Sequence, residues 1–220
     1  MIPQSAIDLI LESEGLDQPA AWPGGDSGIT IGIGYDLGYA DPHNFVQDWQ
    51  RYLGAGQIGR LLTAIGKRGA AAKAIAHTFD DISIARHDAE TVFILRTLPN
   101  EEAKTARAFP GVDLLPDAAR GALVSLIYNR GPAMADAKDD PDHNRREEMR
   151  AIRNAIAYFA ALPEDEHESE LAYYLEEIAA QIRTMKRLWI GKGLDGLIKR
   201  REAEARLVES AIPVERATAA

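Results

Sequence analysis

Three polar side chains in the first forty residues have types and spacing that suit proton transfer: Glu14, Thr30 and Asp36. A carboxylic acid can donate a proton to a leaving oxygen. A second carboxylate, helped by a hydroxyl, can activate a water on the other side of the bond. Glu14 continues the stripe Ile7, Ile10, Leu11 at i, i+3, i+4, i+7, whereas Asp8 and Glu12 fall on the opposite side. A carboxylate at the margin of an apolar stripe loses hydration, which raises its pKa and favours the protonated acid. The plainer reading makes Glu14 a surface charge that ends a helix.

Thr30 and Asp36 belong to GGDSGITIGIGYDLG, residues 24–38, which holds six of the chain's eighteen glycines. As a straight strand, Ile31, Ile33 and Tyr35 would share one face, and Thr30, Gly32, Gly34 and Asp36 the other. The second face would be bare backbone, suited to the floor of a cleft. Six residues at ~3.3 Å each would then hold Thr30 and Asp36 ~20 Å apart. They can share a water only if Gly32 and Gly34 bend the chain back. Asp36 also reads as a turn residue of a Tyr-Asp-Leu-Gly hairpin. Asp26, in Gly-Gly-Asp-Ser-Gly, is the alternative acid, with an Asx turn as its structural role. Trp22, Tyr35 and Tyr39 offer flat faces for a sugar ring, and core packing competes for at least one of them. Arg201 lies on the apolar stripe Leu194, Leu197, Ile198, Ala205, Val208 and needs a partner there, either Glu14 or the nearer Glu202 and Glu204. Asn129 lies on a helical stripe as a ligand-binding or a core amide.

The elements that must position these groups are mostly helices. A first helix runs through Ile7–Leu11 to Glu14, stopped by Gly15. Short helices are expected near 43–53, 55–66 and 69–77, and another from His87 to Leu98, where Pro99 kinks or ends it before a last turn toward Phe109. Pro116 opens the next helix and Gly131-Pro132 closes it. Residues 133–146 read as a mobile polar loop. Helices follow near 145–162, 168–189 and 194–210. The expected fold is α+β and predominantly helical: a small N-terminal β-containing lobe over about 15–60, and a helical lobe over about 85–210 plus the N-terminal helix, with a cleft between them.

Composition narrows the function further. The chain has 220 residues, no cysteine and a net charge of -9. About -6 of that falls in the first sixty residues, where Arg51 and Arg60 face eight acids. Nucleic acid is a poor partner for such a surface. The five histidines lack HExxH spacing, so neither metal nor other cofactor is expected. No apolar run reaches the ~18 residues of a membrane span. The N-terminus lacks a basic region ahead of its apolar residues, so a secretory signal is not expected.

Together, Glu14-Gly15, the Ser27-to-Gly38 string SGITIGIGYDLG, Tyr128-Asn129-Arg130-Gly131 and the Gly196-to-Glu204 string GLIKRREAE resemble the phage-type lysozymes, and more closely their pesticin-like branch. The resemblance spans about residues 7–209 in order. It implies a lysozyme-like fold and hydrolysis of the β-1,4 bond between N-acetylmuramic acid and N-acetylglucosamine in bacterial peptidoglycan. It also implies that Glu14 is the catalytic acid, Thr30 the family's threonine and Asp36 the aspartate of the pesticin-like branch. In many phage lysozymes the aspartate precedes the threonine, where this chain offers Asp26. The charged segment 133–170 is longer than is usual in the family. A single displacement would place the carboxyl groups ~6.5–9.5 Å apart. The implied protein is a monomer made in the cytoplasm that reaches the wall by holin-type or other release. A lytic transglycosylase and a non-catalytic peptidoglycan-binding relative are the alternatives.

An acidic enzyme and an anionic wall repel each other, and salt screens that repulsion. Activity on intact walls is therefore expected to fall as ionic strength is lowered; a sharp rise in a turbidity assay would contradict it.

Overall fold

The computed structural model describes residues 2–138 and 144–213. The chain is predominantly helical with one small three-stranded antiparallel sheet, an α+β protein. It divides into two compact units, Glu14–Asn100 and the combination of Met1–Ser13 with Glu101–Ala220.

In the Glu14–Asn100 unit, strands β1 (Asp17–Ala21), β2 (Thr30–Gly32) and β3 (Tyr35–Asp36) lie in the order β1-β2-β3, so β2 is central. The sequence reading singled out no strand at DQPAA, which has weak β propensity and an internal proline. Pro19 is tolerated because β1 is an edge strand, where a missing N–H interrupts nothing beyond it. Helices α2 (Pro42–Trp49), α3 (Ala55–Leu62), α4 (Gly69–Ile75) and α5 (Arg86–Val92) follow. Asp41 caps α2, its carboxylate accepting from the backbone N–H of His43 and Asn44, with Pro42 in the first helical turn. The core of this unit includes Ile29, Ile31, Leu37, Phe45, Trp49, Leu61 and Phe79, each almost fully buried. The unit runs to Asn100, so α2–α5 fall in it together with the sheet.

A π-helical turn, Phe93–Thr97, joins α5 to α6 (Leu98–Ala108). Proline lacks an N–H and clashes with the carbonyl four residues back. For Pro99 that carbonyl belongs to Leu95, inside the widened turn, so the helix passes the proline instead of ending there.

The other unit is built on α1 (Gln4–Ser13), α7 (Asp117–Arg130), α8 (Glu147–Ala160), α9 (His167–Thr184) and α10 (Asp195–Glu209). Helix α7 is buried continuously from Gly121 to Ile127, the pattern of a helix surrounded by others. Met149, Ile152 and Ile156 of α8 pack in the same core as Leu175, Ile178 and Ile182 of α9. A 3-10 turn, Met185–Leu188, extends α9 toward Trp189. Part of the polar loop expected over 133–146 lies outside the described residues. Among the described residues no helix is long and apolar enough to cross a membrane.

Three features go beyond the α10 stripe read from sequence. Arg201 is indeed fully buried, but Arg200 and Glu204 are buried with it, while Leu194 is exposed. Arg201 donates to Glu204 Oε1 at 2.8 Å, and Arg200 lies 3.3 Å from the same oxygen. Ser125 of α7 donates its hydroxyl to that oxygen at 2.7 Å, which ties α7 to α10.

Helices α1 and α7 approach closely at Gly121. A Cβ there would overlap Ala6 Cβ and lie 3.3 Å from Pro3 Cδ. Neither neighbour has a rotamer to yield. Gly121→Ala is therefore expected to destabilise the fold by about 1–3 kcal/mol, despite alanine's better helix propensity; urea unfolding would measure it.

Candidate functional site

The Gly-rich segment is a hairpin. Thr30 pairs with Asp36 and Ile31 with Tyr35, and the chain reverses through Gly32 and Gly34 at φ +63° and +66°. Both glycines take left-handed backbone that a side chain would strain. The straight-strand geometry and its ~20 Å separation are thus replaced by a directly opposed pair, whose Cβ atoms lie ~5 Å apart in any antiparallel ladder. The bare glycine face is not an open floor. Trp49 fills the space over Gly32, its Cη2 2.7 Å from where a Cβ would stand, and Gly28 and Gly38 close against each other.

Asp36 is gripped by backbone. Its Oδ1 accepts from Gly28 N–H at 2.9 Å and Gly38 N–H at 2.7 Å, and Oδ2 is 3.2 Å from Gly28 N. The Gly38 bond is the Asx-turn contact of a turn residue. The Gly28 bond reaches across to the segment entering β2. Gly28 is required there, since its Cβ would stand 2.5 Å from Asp36 Oδ1. Asp36 is half-buried and its pKa is raised. Burial is the main cause, opposed by the two amides and Arg68, and reinforced by the Asp26 charge. Thr30 is 6% exposed, so its hydroxyl sits at the edge of the interior.

Glu14 follows the last residue of α1, is half-buried, and belongs to the same unit as Thr30 and Asp36. Helix α1 ends at Ser13, one residue short of the glutamate that the sequence placed on its stripe. Three residues later comes Asp17, which sequence reasoning missed. Asp17 pairs with Gly32 and its Oδ2 accepts from Gly34 N–H at 3.1 Å. Burial raises its pKa, Gly34 lowers it, and the Asp36 charge raises it again. Its partner lies seventeen residues away across a hairpin, so no local motif betrays it.

Asp26 forms no Asx turn of the kind expected. Its Oδ2 lies 3.2 Å from Arg68 Nη1 and accepts from the Tyr39 hydroxyl at 3.3 Å. Arg68 also covers the Tyr39 ring at 4.8 Å, and Lys73 covers the Trp22 ring at 5.4 Å. Trp22 Nε1 donates to Ser27 O at 3.1 Å. Tyr39 is largely exposed and Trp22 half-buried, so both keep surface for a ligand. Tyr35 is committed differently. Its hydroxyl donates to Asp48 at 3.0 Å, Asp48 pairs with Arg96 at 2.7 Å, and the ring meets Trp49 edge-on at 5.4 Å. Burial and the Asp48 charge raise its pKa. It serves the core.

Two expected participants lie in the other unit. Asn129 is half-buried near the end of α7, and Arg201 is held by Glu204 of its own helix. Among the described residues no group of three or more His, Asp or Glu side chains is placed to hold a metal ion. The Glu14–Asn100 unit offers carboxyl groups, a hydroxyl and two aromatic faces. No protein-family model matches the chain, and no curated protein matches it either.

The two raised aspartates set a pH dependence. The native state holds their protons to higher pH than the unfolded chain, whose carboxyls titrate near ~4. Stability from this source is complete below the unfolded value and is lost as pH rises through the raised native values. Asp17→Asn keeps an acceptor for Gly34 and removes one such group. It is expected to flatten that decline and raise the melting temperature at pH 7 by about 1–3 °C, checked by thermal melts from pH 3 to 7.

Proposed function

We propose that this chain is a peptidoglycan hydrolase of the phage-type lysozyme kind, close to the pesticin-like branch, cleaving the β-1,4 bond between N-acetylmuramic acid and N-acetylglucosamine. The observation that carries the reading is the hairpin pairing of Thr30 with Asp36, within one compact unit with Glu14. The residues that resemble the family's three catalytic positions are thereby of a kind, and in part in a register, that a hydrolytic site requires. The lysozyme-like assignment of the fold rests on the same resemblance, together with the α+β composition.

In the proposed reaction the Glu14 carboxyl group passes a proton to the glycosidic oxygen as the C1–O bond breaks. Water adds to C1 from the opposite face, and its proton passes to Asp36 Oδ2. Oδ1 takes the two shorter amide bonds and Oδ2 only the 3.2 Å contact shared with Gly28, so Oδ2 is the less engaged oxygen for that step and the carboxylate plane is fixed. The Thr30 hydroxyl orients the water. Attack opposite the leaving group inverts the anomeric centre. Trp22 and Tyr39 supply stacking faces for neighbouring sugars. In this reading the chain acts as a monomer on the bacterial wall.

One observation favours a second reading. Asp36 fills the role of a turn residue, and Thr30 is nearly buried. If both serve only the hairpin, Glu14 acts alone, the sugar's own 6-hydroxyl closes on C1, and the protein is a lytic transglycosylase. Its products would carry an anhydro end and weigh one water less than hydrolysis products.

Glu14→Gln is expected to lower the rate on purified peptidoglycan roughly 10²–10⁴-fold, with thermal stability little changed, while Asp26→Asn keeps the rate within a few-fold. Mass spectrometry of the wild-type digest separates hydrolysis from transglycosylation. Full activity in Glu14→Gln would end both readings.

A further inference from the structure

Among the described residues of the helical unit, more buried cationic hydrogen-bond donors than acceptors lack a partner. Arg130 ends α7, Arg146 immediately precedes α8, and Arg201 lies on α10. The guanidinium carbons of Arg130 and Arg201 stand 5.1 and 5.7 Å from the centre of the Trp189 ring. Arg146 adjoins Arg130, its Nη2 donating to Arg130 O at 2.8 Å.

Each guanidinium uses one edge internally. Arg130 Nη2 donates to Arg145 O at 2.5 Å, and Arg201 Nη2 to Glu204 Oε1 at 2.8 Å. The Arg146 backbone N–H goes to Asp136 Oδ1 at 2.6 Å. These bonds close the C-terminus of α7 and the turn into α8, as arginines near helix ends commonly do. They do not account for the rest. Arg130 Nε, Arg146 Nη1, and both Nε and Nη1 of Arg201 are buried with no hydrogen-bond partner. Arg201 is fully buried, and an unpaired buried charged donor is among the costliest features a fold can keep.

The carboxylates nearby match only part of this: Glu204 Oε2 and Glu148 Oε2 are themselves buried without a donor, two acceptor atoms against four unpaired guanidinium nitrogens. Glu204 Oε1 serves Ser125, Arg200 and Arg201. Glu148 Oε1 takes Arg187 Nε at 2.5 Å, and its Oε2 reaches no donor. Arg130 registers the imbalance: burial, then the charges of Arg146 and Arg201, push its pKa down to about 10, opposed by Glu148. On a chain of net charge -9 this is a local concentration of positive charge with unfilled valence.

We propose that Arg130, Arg146 and Arg201, beside Trp189, form a seat for a tetrahedral phosphate-class dianion, either free phosphate or the phosphate group of a larger ligand. Several guanidinium edges call for an acceptor with several oxygens and about two negative charges, which phosphate supplies and a single carboxylate does not. Arg130 and Arg146 are half-buried, so an ion has an approach from solvent, and the fully buried Arg201 is its inner wall.

Thermal melts of the full chain at fixed ionic strength test this, with chloride, acetate, inorganic phosphate and glucose 6-phosphate compared. Phosphate is expected to raise the melting temperature saturably, by about 3 °C at ten times its dissociation constant. Acetate and chloride should do so far less. Arg130→Gln and Arg146→Gln should each abolish the response, while Arg153→Gln, exposed on α8, keeps it. Phosphorus NMR line broadening by the wild type, absent with whichever variant folds, gives a readout that does not depend on stability. A stronger response to glucose 6-phosphate than to phosphate assigns the seat to an esterified group, and the reverse to the free ion. Equal responses to acetate and phosphate, or a phosphate response that survives in both Arg variants, would overturn the proposal.

Discussion

One carboxylate oxygen organises the segment on which the candidate site depends. Asp36 Oδ1 receives the amides of Gly28 and Gly38, one from the strand approach and one from the turn beyond. Those two bonds pin both ends of a hairpin whose strands β2 and β3 are only three and two residues long. Strands so short have few ladder bonds of their own, and a charged acceptor makes each amide bond stronger than a neutral one would. The constraint also explains the glycines. Gly28 and Gly38 must be bare to reach the carboxylate and each other, while Gly32 and Gly34 must reverse the chain.

The same oxygen defines what Asp36 can do. With Oδ1 committed, the carboxylate is oriented and Oδ2, which shares only the Gly28 amide at 3.2 Å, is the less engaged oxygen, so a structural role and a proposed chemical role are compatible in one side chain. Its raised pKa reflects burial outweighing two amides and Arg68. Asp17, on the opposite edge strand β1, is raised likewise, by burial first and then by the Asp36 charge. The small sheet, with one such group on each edge strand, is held in part against its own electrostatics.

In the helical unit a single buried carboxylate again gathers donors. Glu204 Oε1 joins Ser125 of α7 to Arg200 and Arg201 of α10. Here the cations outnumber the acceptor, and the surplus extends through Arg201 and Trp189 to Arg130. The two units thus balance charge in opposite senses: acids held by backbone in one, guanidinia left partly unmatched in the other.

Much of this was legible in the chain itself. Hydrophobic periodicity located the helices to within a few residues, since burial of one face dictates a 3.6-residue repeat. The glycines announced a bend, and the stripe around Arg201 announced a buried guanidinium. Local pattern could not reveal what distant segments contribute. Trp49 fills the face over Gly32, Asp48 claims the Tyr35 hydroxyl, and Arg68 occupies Asp26. Strand β1 and Asp17 were invisible because their meaning depends on partners nine to seventeen residues away, across a hairpin. Sequence by itself determined which residues have the chemistry and which elements carry them, because those follow from side-chain type and short-range periodicity. Tertiary structure alone decided that Thr30 faces Asp36, that Glu204 takes Arg201, and which polar atoms keep a free edge, because hydrogen-bond partners are set by proximity in space.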